Sequence, residues 1–161
     1  ASNFDASRLS ASLAISAEQG LPRYDTLQPA YNLVDRAIEG PLQQLCVDQD
    51  VAIISYYGLA SGFLTGKYRS VADLGKSPRG AGAKKHLESE RGPKVLAALD
   101  AVSAELGATP AQVALAWVMA RPAVAAPIAS ATSLDQLEEL MGAARLTLDA
   151  GQMARLDAAS G

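Results

Sequence analysis

The sequence predicts an α/β fold built on a parallel sheet, and three observations predict it. Strand-like and helix-like hydrophobic periods alternate along the chain. Polar residues fall at the carboxyl ends of the strand candidates, where parallel α/β sheets place their ligands. Those ends lie near Asn3, Gln28, Tyr56 and Ser130, with separations of 25, 28 and 74 residues. A closed (β/α)8 barrel allots ~31 residues to each unit. The first two gaps match one unit each, and the third matches one unit plus a glycine-rich excursion. Four strand ends in 161 residues therefore fit half a barrel. A three- or four-stranded open sheet with a flavodoxin-like winding fits the same alternation.

Each element has its own signal. Asp5 has the character of an N-cap, with Leu9, Leu13 and Ala17 at helical spacing until Gly20 closes the segment. Thr26-Leu27-Gln28 is a short extended stretch ending against Pro29. Pro41 suits the first turn of a helix carrying Leu42, Leu45 and Cys46 on one face. The apolar run from Val51 to Tyr56 has strand length and too little alternation for a wet face, which suits a buried parallel strand. Residues 58–92 hold 7 of the 13 glycines, with basic residues scattered among them, and predict a long, partly mobile loop. Helical spacing resumes at Pro93 with Val95, Leu99, Val102 and Leu106, and stops at Gly107. Thr109-Pro110 opens the next helix, Ala111 to Ala120, as N-cap and first-turn proline. Val124 to Ile128 is a short strand. Ser133-Leu134-Asp135-Gln136 fits a capping box for a helix expected to bury Leu134, Leu137, Leu140 and Met141. Thr147 or Asp149 caps a last helix with Met153 and Leu156.

Composition narrows the function classes. Apolar types make up 49% and charged types 19%, and Lys+Arg 14 against Asp+Glu 17 leaves a charge of −3. That balance argues against a nucleic-acid partner. No apolar run reaches the ~18 residues of a membrane span. One cysteine, Cys46, cannot make an internal disulfide, and no Cys/His cluster is available to hold a metal. A reducing, cytoplasmic setting is expected. The opening Ala1 to Asp5 has no signal-peptide character and no initiator Met, so the chain is expected to start partway through a longer polypeptide.

Five pieces of sequence carry a family resemblance. They are Ser2-Asn3-Phe4; Leu27-Gln28-Pro29-Ala30-Tyr31-Asn32; the run Ser55-Tyr56-Tyr57-Gly58-Leu59-Ala60-Ser61-Gly62-Phe63-Leu64-Thr65-Gly66-Lys67-Tyr68; Ala108 to Trp117; and Pro127 to Ser133. In this order they resemble the C-terminal half of an aldo-keto reductase, over essentially the whole chain. The resemblance implies a TIM barrel of which residues 1–161 supply the end of strand five and strands six to eight. It implies a carbonyl substrate and a nicotinamide cofactor, NADPH ahead of NADH.

The resemblance also assigns roles. Ser2, Asn3 and Gln28 match residues that hold the nicotinamide carboxamide, which needs donors and acceptors together. Tyr56 matches an aromatic that stacks on the nicotinamide ring, with Tyr57 one register away. Gly58, Leu59, Ala60, Ser61 and Gly62 match a loop whose backbone N–H groups approach the pyrophosphate. Lys67 matches a lysine that neutralises phosphate charge, with Arg79 as a second loop cation. Ser130, Thr132, Gln136 and Glu139 match the segment that meets the adenosine 2′-phosphate and adenine at a helix N-terminus. Two departures weaken the extra-phosphate contact: Gln136 stands where a basic residue is frequent, and Leu140 where the family has Asn.

The family's Asp, Tyr, Lys and His, of which the tyrosine protonates the carbonyl oxygen, have no counterpart here. Asp25-Thr26 followed by Tyr31 mimics part of that pattern, with its tyrosine one residue too far. His86, the sole histidine, is expected as a solvated loop side chain. No catalytic residue is therefore assigned within residues 1–161. An N-terminal half, on the same polypeptide or a separate chain, is expected to supply the acid. The rival readings are a non-catalytic nucleotide-binding or partner-binding module of the same fold, and a half-barrel without a ligand.

Overall fold

The computed structural model describes residues 1–161. Its centre is a three-stranded parallel sheet in the order β1 (Thr26–Leu27), β2 (Ala52–Ser55) and β3 (Val124–Pro127). Thr26 pairs with Ala52 and Leu27 with Ile53, while Ile53 pairs with Val124 and Ile54 with Ala126 across a register shift. Ser2 adds a parallel bridge to Gln28, so the first residues act as a rudimentary fourth strand on the β1 edge. Ala30 is likewise bridged to Tyr56, which extends the β1–β2 pairing beyond the named strands.

Helices α1 (Ala6–Gln19), α2 (Pro41–Asp48), α4 (Arg91–Leu106), α5 (Pro110–Met119), α6 (Leu134–Ala143) and α7 (Ala150–Ser160) surround the sheet. Their ends obey capping chemistry. The Asp5 carboxylate accepts from Arg8 N at 2.7 Å, and Gly20 closes α1 at φ +65°. Thr109 and Asp149 form capping boxes with Gln112 and Gln152, which settles the last cap in favour of Asp149 over Thr147. Helix α5 is apolar nearly all round and buried through Val113 to Val118, packed against β3, α4 and α6. The core cluster unites Leu9, Leu27, Ile53, Phe63, Leu99, Val113, Trp117 and Leu156. No helix is long and apolar enough to cross a membrane.

Three expectations change. Residues 58–92 are not an open loop: two 3-10 segments, Ala60–Thr65 and Val71–Lys76, and helix α3 (Gly80–Leu87) fill them. The glycines there serve close packing, since a Cβ on Gly80 would lie 1.9 Å from Leu74 O and one on Gly92 1.8 Å from His86 O. Helix α4 accordingly starts at Arg91, ahead of Pro93. The capping box at Ser133 is half formed: Ser133 accepts from Gln136 N, but the Gln136 side chain turns to Thr132. The α6 stripe is also not buried, with Leu134 77%, Leu137 47% and Met141 54% exposed.

A polar clamp ties the segment after β1 to α5 and α7. Arg36 grips both Glu39 oxygens at 2.9 and 2.8 Å, and the Tyr31 hydroxyl donates to Glu39 at 2.7 Å. Arg121 and the Trp117 indole both donate to Asp157 at 3.0–3.1 Å. Burial would raise the Glu39 carboxyl, but the hydrogen bonds from Arg36 and Tyr31 outweigh it and hold the group below its ordinary range. The clamp fixes the loop that leads away from the Gln28 strand end.

Candidate functional site

The carboxyl ends of the strands gather on one rim. Asn3 N donates to Gln28 O at 3.2 Å, Ser2 Oγ donates to the same carbonyl at 3.3 Å, and Tyr56 N donates to Pro29 O at 2.9 Å. Asn3 takes φ +54°, a conformation asparagine tolerates better than most residues. The Tyr56 hydroxyl donates to Asn3 Oδ1 at 2.9 Å. That bond orients the Asn3 amide and leaves its Nδ2 donors for a further acceptor. Ser2, Asn3 and Gln28 remain exposed at this open rim. Tyr57, 63% exposed and at φ +58°, packs edge-on against the Tyr56 ring with centroids 5.1 Å apart, and Tyr56 is the aromatic hydrogen-bonded to Asn3.

Beside Tyr56 a cleft of about 490 Å³ runs between the β2 loop, α3 and the end of β3. Tyr56, Tyr57, Gly58, Leu59, Gly62, Arg79 and Ser130 line it. A second hollow of about 240 Å³ continues it along Lys67, Gln136, Glu139 and Leu140. The two share Leu59, Ser61, Gly62, Arg79 and Ser130, so they form one groove from Tyr56 to Glu139.

The floor of the groove is strained backbone. Ala60, Ser61 and Gly62 take φ +47°, +58° and +86° in succession, directly after Leu59 at φ −105°. Two N–H groups of this stretch are spent within the turn, Ala60 N donating to Tyr57 O at 2.7 Å and Gly62 N to Leu59 O at 2.8 Å. Left-handed geometry costs non-glycine residues roughly 1–2 kcal/mol each, so the surroundings must hold it. Asn32, only 2% exposed, is one brace: its Nδ2 donates to Tyr57 O at 2.9 Å and its Oδ1 accepts from Val34 N at 2.8 Å. Neither Lys67 nor Arg79 has an acidic partner within 4.0 Å, and both line the groove. Two uncommitted cations lining one groove suit a phosphate-bearing ligand.

Ten of the fifteen residues expected at the site line this groove: Tyr56, Tyr57, Gly58, Leu59, Gly62, Lys67, Arg79, Ser130, Gln136 and Glu139. Ala60, part of the left-handed stretch, is itself buried and lines neither hollow. Thr132 supports the groove from outside, its N and Oγ1 both donating to Gln136 Oε1 at 2.9 and 3.1 Å. Sequence reasoning missed Pro78, Gly82, Ile128 and Ala129, which also line the cleft. Gly82 had a physical reason to be there, since a Cβ would meet Ser61 Oγ at 2.8 Å. His86 departs from expectation: it sits in α3, half-buried, its ring 5.3 Å from that of Phe63. Burial pushes its imidazole below the ordinary value, and the Lys85 charge adds to this.

A family model, described as the aldo/keto reductase family, matches residues 1–160. The chain belongs to that family. Protein tas of Escherichia coli is 33% identical over 153 residues, spanning 91% of this chain and 42% of its own length. An uncharacterised oxidoreductase of Schizosaccharomyces pombe is 33% identical over 141 residues, spanning 88% of this chain and 36% of its own. A thermostable aldo-keto reductase solved with the inhibitor epalrestat superposes with a TM-score of 0.69 at 26% identity, over 98% of this chain and 46% of that one. This aldo/keto reductase chain thus spans less than half the length of these relatives.

Proposed function

We propose that residues 1–161 form the dinucleotide-binding half of an NAD(P)H-dependent aldo-keto reductase barrel that reduces aldehydes or ketones to alcohols. The observation that carries this reading is the groove from Tyr56 to Glu139, where Lys67 and Arg79 stand unpaired beside left-handed backbone at 60–62. Coverage of less than half of each relative supports a complementary N-terminal half, on the same polypeptide or a separate chain.

The cofactor, when bound, supplies a hydride to the carbonyl carbon. Around it, the residues of this chain bind and orient. Asn3 Nδ2 and the exposed Gln28 amide serve the carboxamide, while the Tyr56 ring supplies a stacking surface for the nicotinamide. The 58–62 backbone with Lys67 and Arg79 takes the pyrophosphate. Ser130, Thr132 and the N-terminus of α6 receive the 2′-phosphate, with Gln136 and Glu139 toward the adenine. NADPH is preferred over NADH, and only by a small factor because no cation stands among Ser130, Thr132 and Gln136 to meet the extra phosphate. The proton for the carbonyl oxygen comes from outside residues 1–161. A reducing cytoplasm suits the single free thiol of Cys46.

Calorimetric titration with NADPH and NADH tests the reading. Saturable binding is expected for both, tighter for NADPH and weakened by Tyr56→Ala. No saturation by either dinucleotide at millimolar concentration would remove the assignment.

A further inference from the structure

Tyr68 lines neither part of the groove and is fully buried, yet it contacts Lys67 directly and the backbone of Arg79 through Ser77. Its ring lies under Lys67, with Nζ 5.0 Å from the centroid. Its hydroxyl shares a 2.5 Å hydrogen bond with Ser77 Oγ, and Ser77 Oγ accepts from the Arg79 backbone N at 3.3 Å. One side chain therefore sits between a lysine and an arginine twelve residues apart in sequence.

We infer that Tyr68 is a positioning residue that sets the two phosphate-facing cations against the groove, Lys67 through its ring and Arg79 through Ser77. The inference deepens the dinucleotide reading and rests on it. An ammonium over an aromatic face is attracted by the ring quadrupole but keeps its charge and most of its donors for a ligand, unlike one held by a carboxylate. The surroundings enforce the same placement. Gly62, at φ +86°, leaves room for the lysine, because a Cβ there would stand 3.1 Å from Lys67 Cε and 3.2 Å from Nζ. Behind it, Lys76 Nζ donates to Lys67 O at 3.1 Å and pairs with Asp73 at 2.8 Å, which anchors the lysine's backbone. The Arg79 side has less support. Its turn is closed by Gly80 N donating to Ser77 O at 3.0 Å and by the Ser77 hydroxyl, and the Tyr68 hydroxyl ties that turn to the buried core.

The two contacts can be separated. Tyr68→Phe keeps the ring under Lys67 and removes the bond to Ser77; Ser77→Ala removes the same bond from the other side. Each change should raise the NADPH dissociation constant about 3- to 10-fold, the range of one hydrogen bond. The double variant should cost no more than either alone, since both act on one link. Tyr68→Leu should cost more, because Lys67 loses its platform as well. A role confined to stability would leave the ionic-strength dependence of binding unchanged. Loss of a placed cation should instead flatten it in all three variants.

The experiment is NADPH titration of the full protein and these variants at low and moderate salt. Wild-type affinity in Tyr68→Phe and Ser77→Ala, additive losses in the double variant, or weaker binding with the wild-type salt dependence would each overturn the inference. Failure of the wild-type protein itself to bind NADPH would overturn the dinucleotide reading, and this inference with it.

Discussion

Asn32 offers the most direct test of how the groove is held. Its side chain makes two hydrogen bonds in a nearly dry position, one to Tyr57 O at 2.9 Å and one from Val34 N at 2.8 Å. Asn32→Ala strands both backbone groups. Each stranded buried group costs roughly 1–3 kcal/mol. Tyr57 is 63% exposed, so water can reach its carbonyl and that term falls at the low end. Against this, the released Tyr57 can leave φ +58° and recover roughly 1–2 kcal/mol of left-handed strain. The central net expectation is a loss of about 1.5 kcal/mol, read as a lower urea midpoint at unchanged slope. The relaxed Tyr57 peptide also turns Gly58 and Leu59 away from the groove, so NADPH affinity should fall by about tenfold, equivalent to roughly 1.4 kcal/mol. Asn32→Asp adds a sign test. It keeps the acceptor for Val34 N but sets a buried carboxylate against the Tyr57 carbonyl, which raises that carboxyl in the folded state. Its stability relative to wild type should therefore recover as pH falls and the acid O–H can donate. A wild-type urea midpoint in Asn32→Ala, or a destabilised variant with unchanged NADPH affinity, would refute the link between brace and groove.

Three further outcomes are expected. Tyr56→Phe keeps the ring but loses the bond to Asn3 Oδ1 at 2.9 Å, so NADPH affinity should drop about 2- to 10-fold with little change in melting temperature; a larger loss in Tyr56→Ala separates ring from hydroxyl. Gly80→Ala places a Cβ 1.9 Å from Leu74 O, where backbone rather than a flexible side chain must yield, and should cost more than about 2 kcal/mol in chemical denaturation. The His86 imidazole is held below its ordinary 6.5 by burial first and then by Lys85 and Arg91, with Asp35 opposing. Between 6.5 and the lower folded value the unfolded chain binds more protons, so stability should fall as pH drops through that window. Urea titrations of His86→Gln across the same window should show a flatter dependence than wild type.

What the sequence reveals and what it hides divide along physical lines. Asp5, Gly20, Thr109-Pro110 and Asp149 act through contacts within a few residues, so their caps are legible locally. The run Val51 to Tyr56 is legible because a strand buried on both faces has no polar alternation. The stretch 58–92 misleads because glycine has two uses. Its count suggests freedom, whereas Gly80 and Gly92 let backbone approach backbone, which only the folded neighbour discloses. The α6 stripe misleads differently: Leu134, Leu137 and Met141 fall on one side of the helix, but period alone does not say what covers that side. Asn32 shows only half its role locally, in the bond from Val34 N two residues on; its hold on Tyr57, twenty-five residues away, has no local signal.

The groove and the rim therefore stand on different footings. Every groove-lining residue lies between Tyr56 and Leu140, and the braces Asn32, Tyr68 and Thr132 lie within the same chain. Ser2, Asn3 and Gln28, by contrast, stand exposed at the sheet edge, with one side of the rim open. The groove is thus self-contained in these residues, while the rim at Asn3 and Gln28 is walled on one side only. A ligand that uses only the groove, such as adenosine 2′,5′-bisphosphate, should then retain a larger share of its affinity in isolation than a nicotinamide mononucleotide that depends on the rim. If the mononucleotide instead bound more tightly than the bisphosphate, the division of labour between Lys67, Arg79 and the strand ends would have to be redrawn.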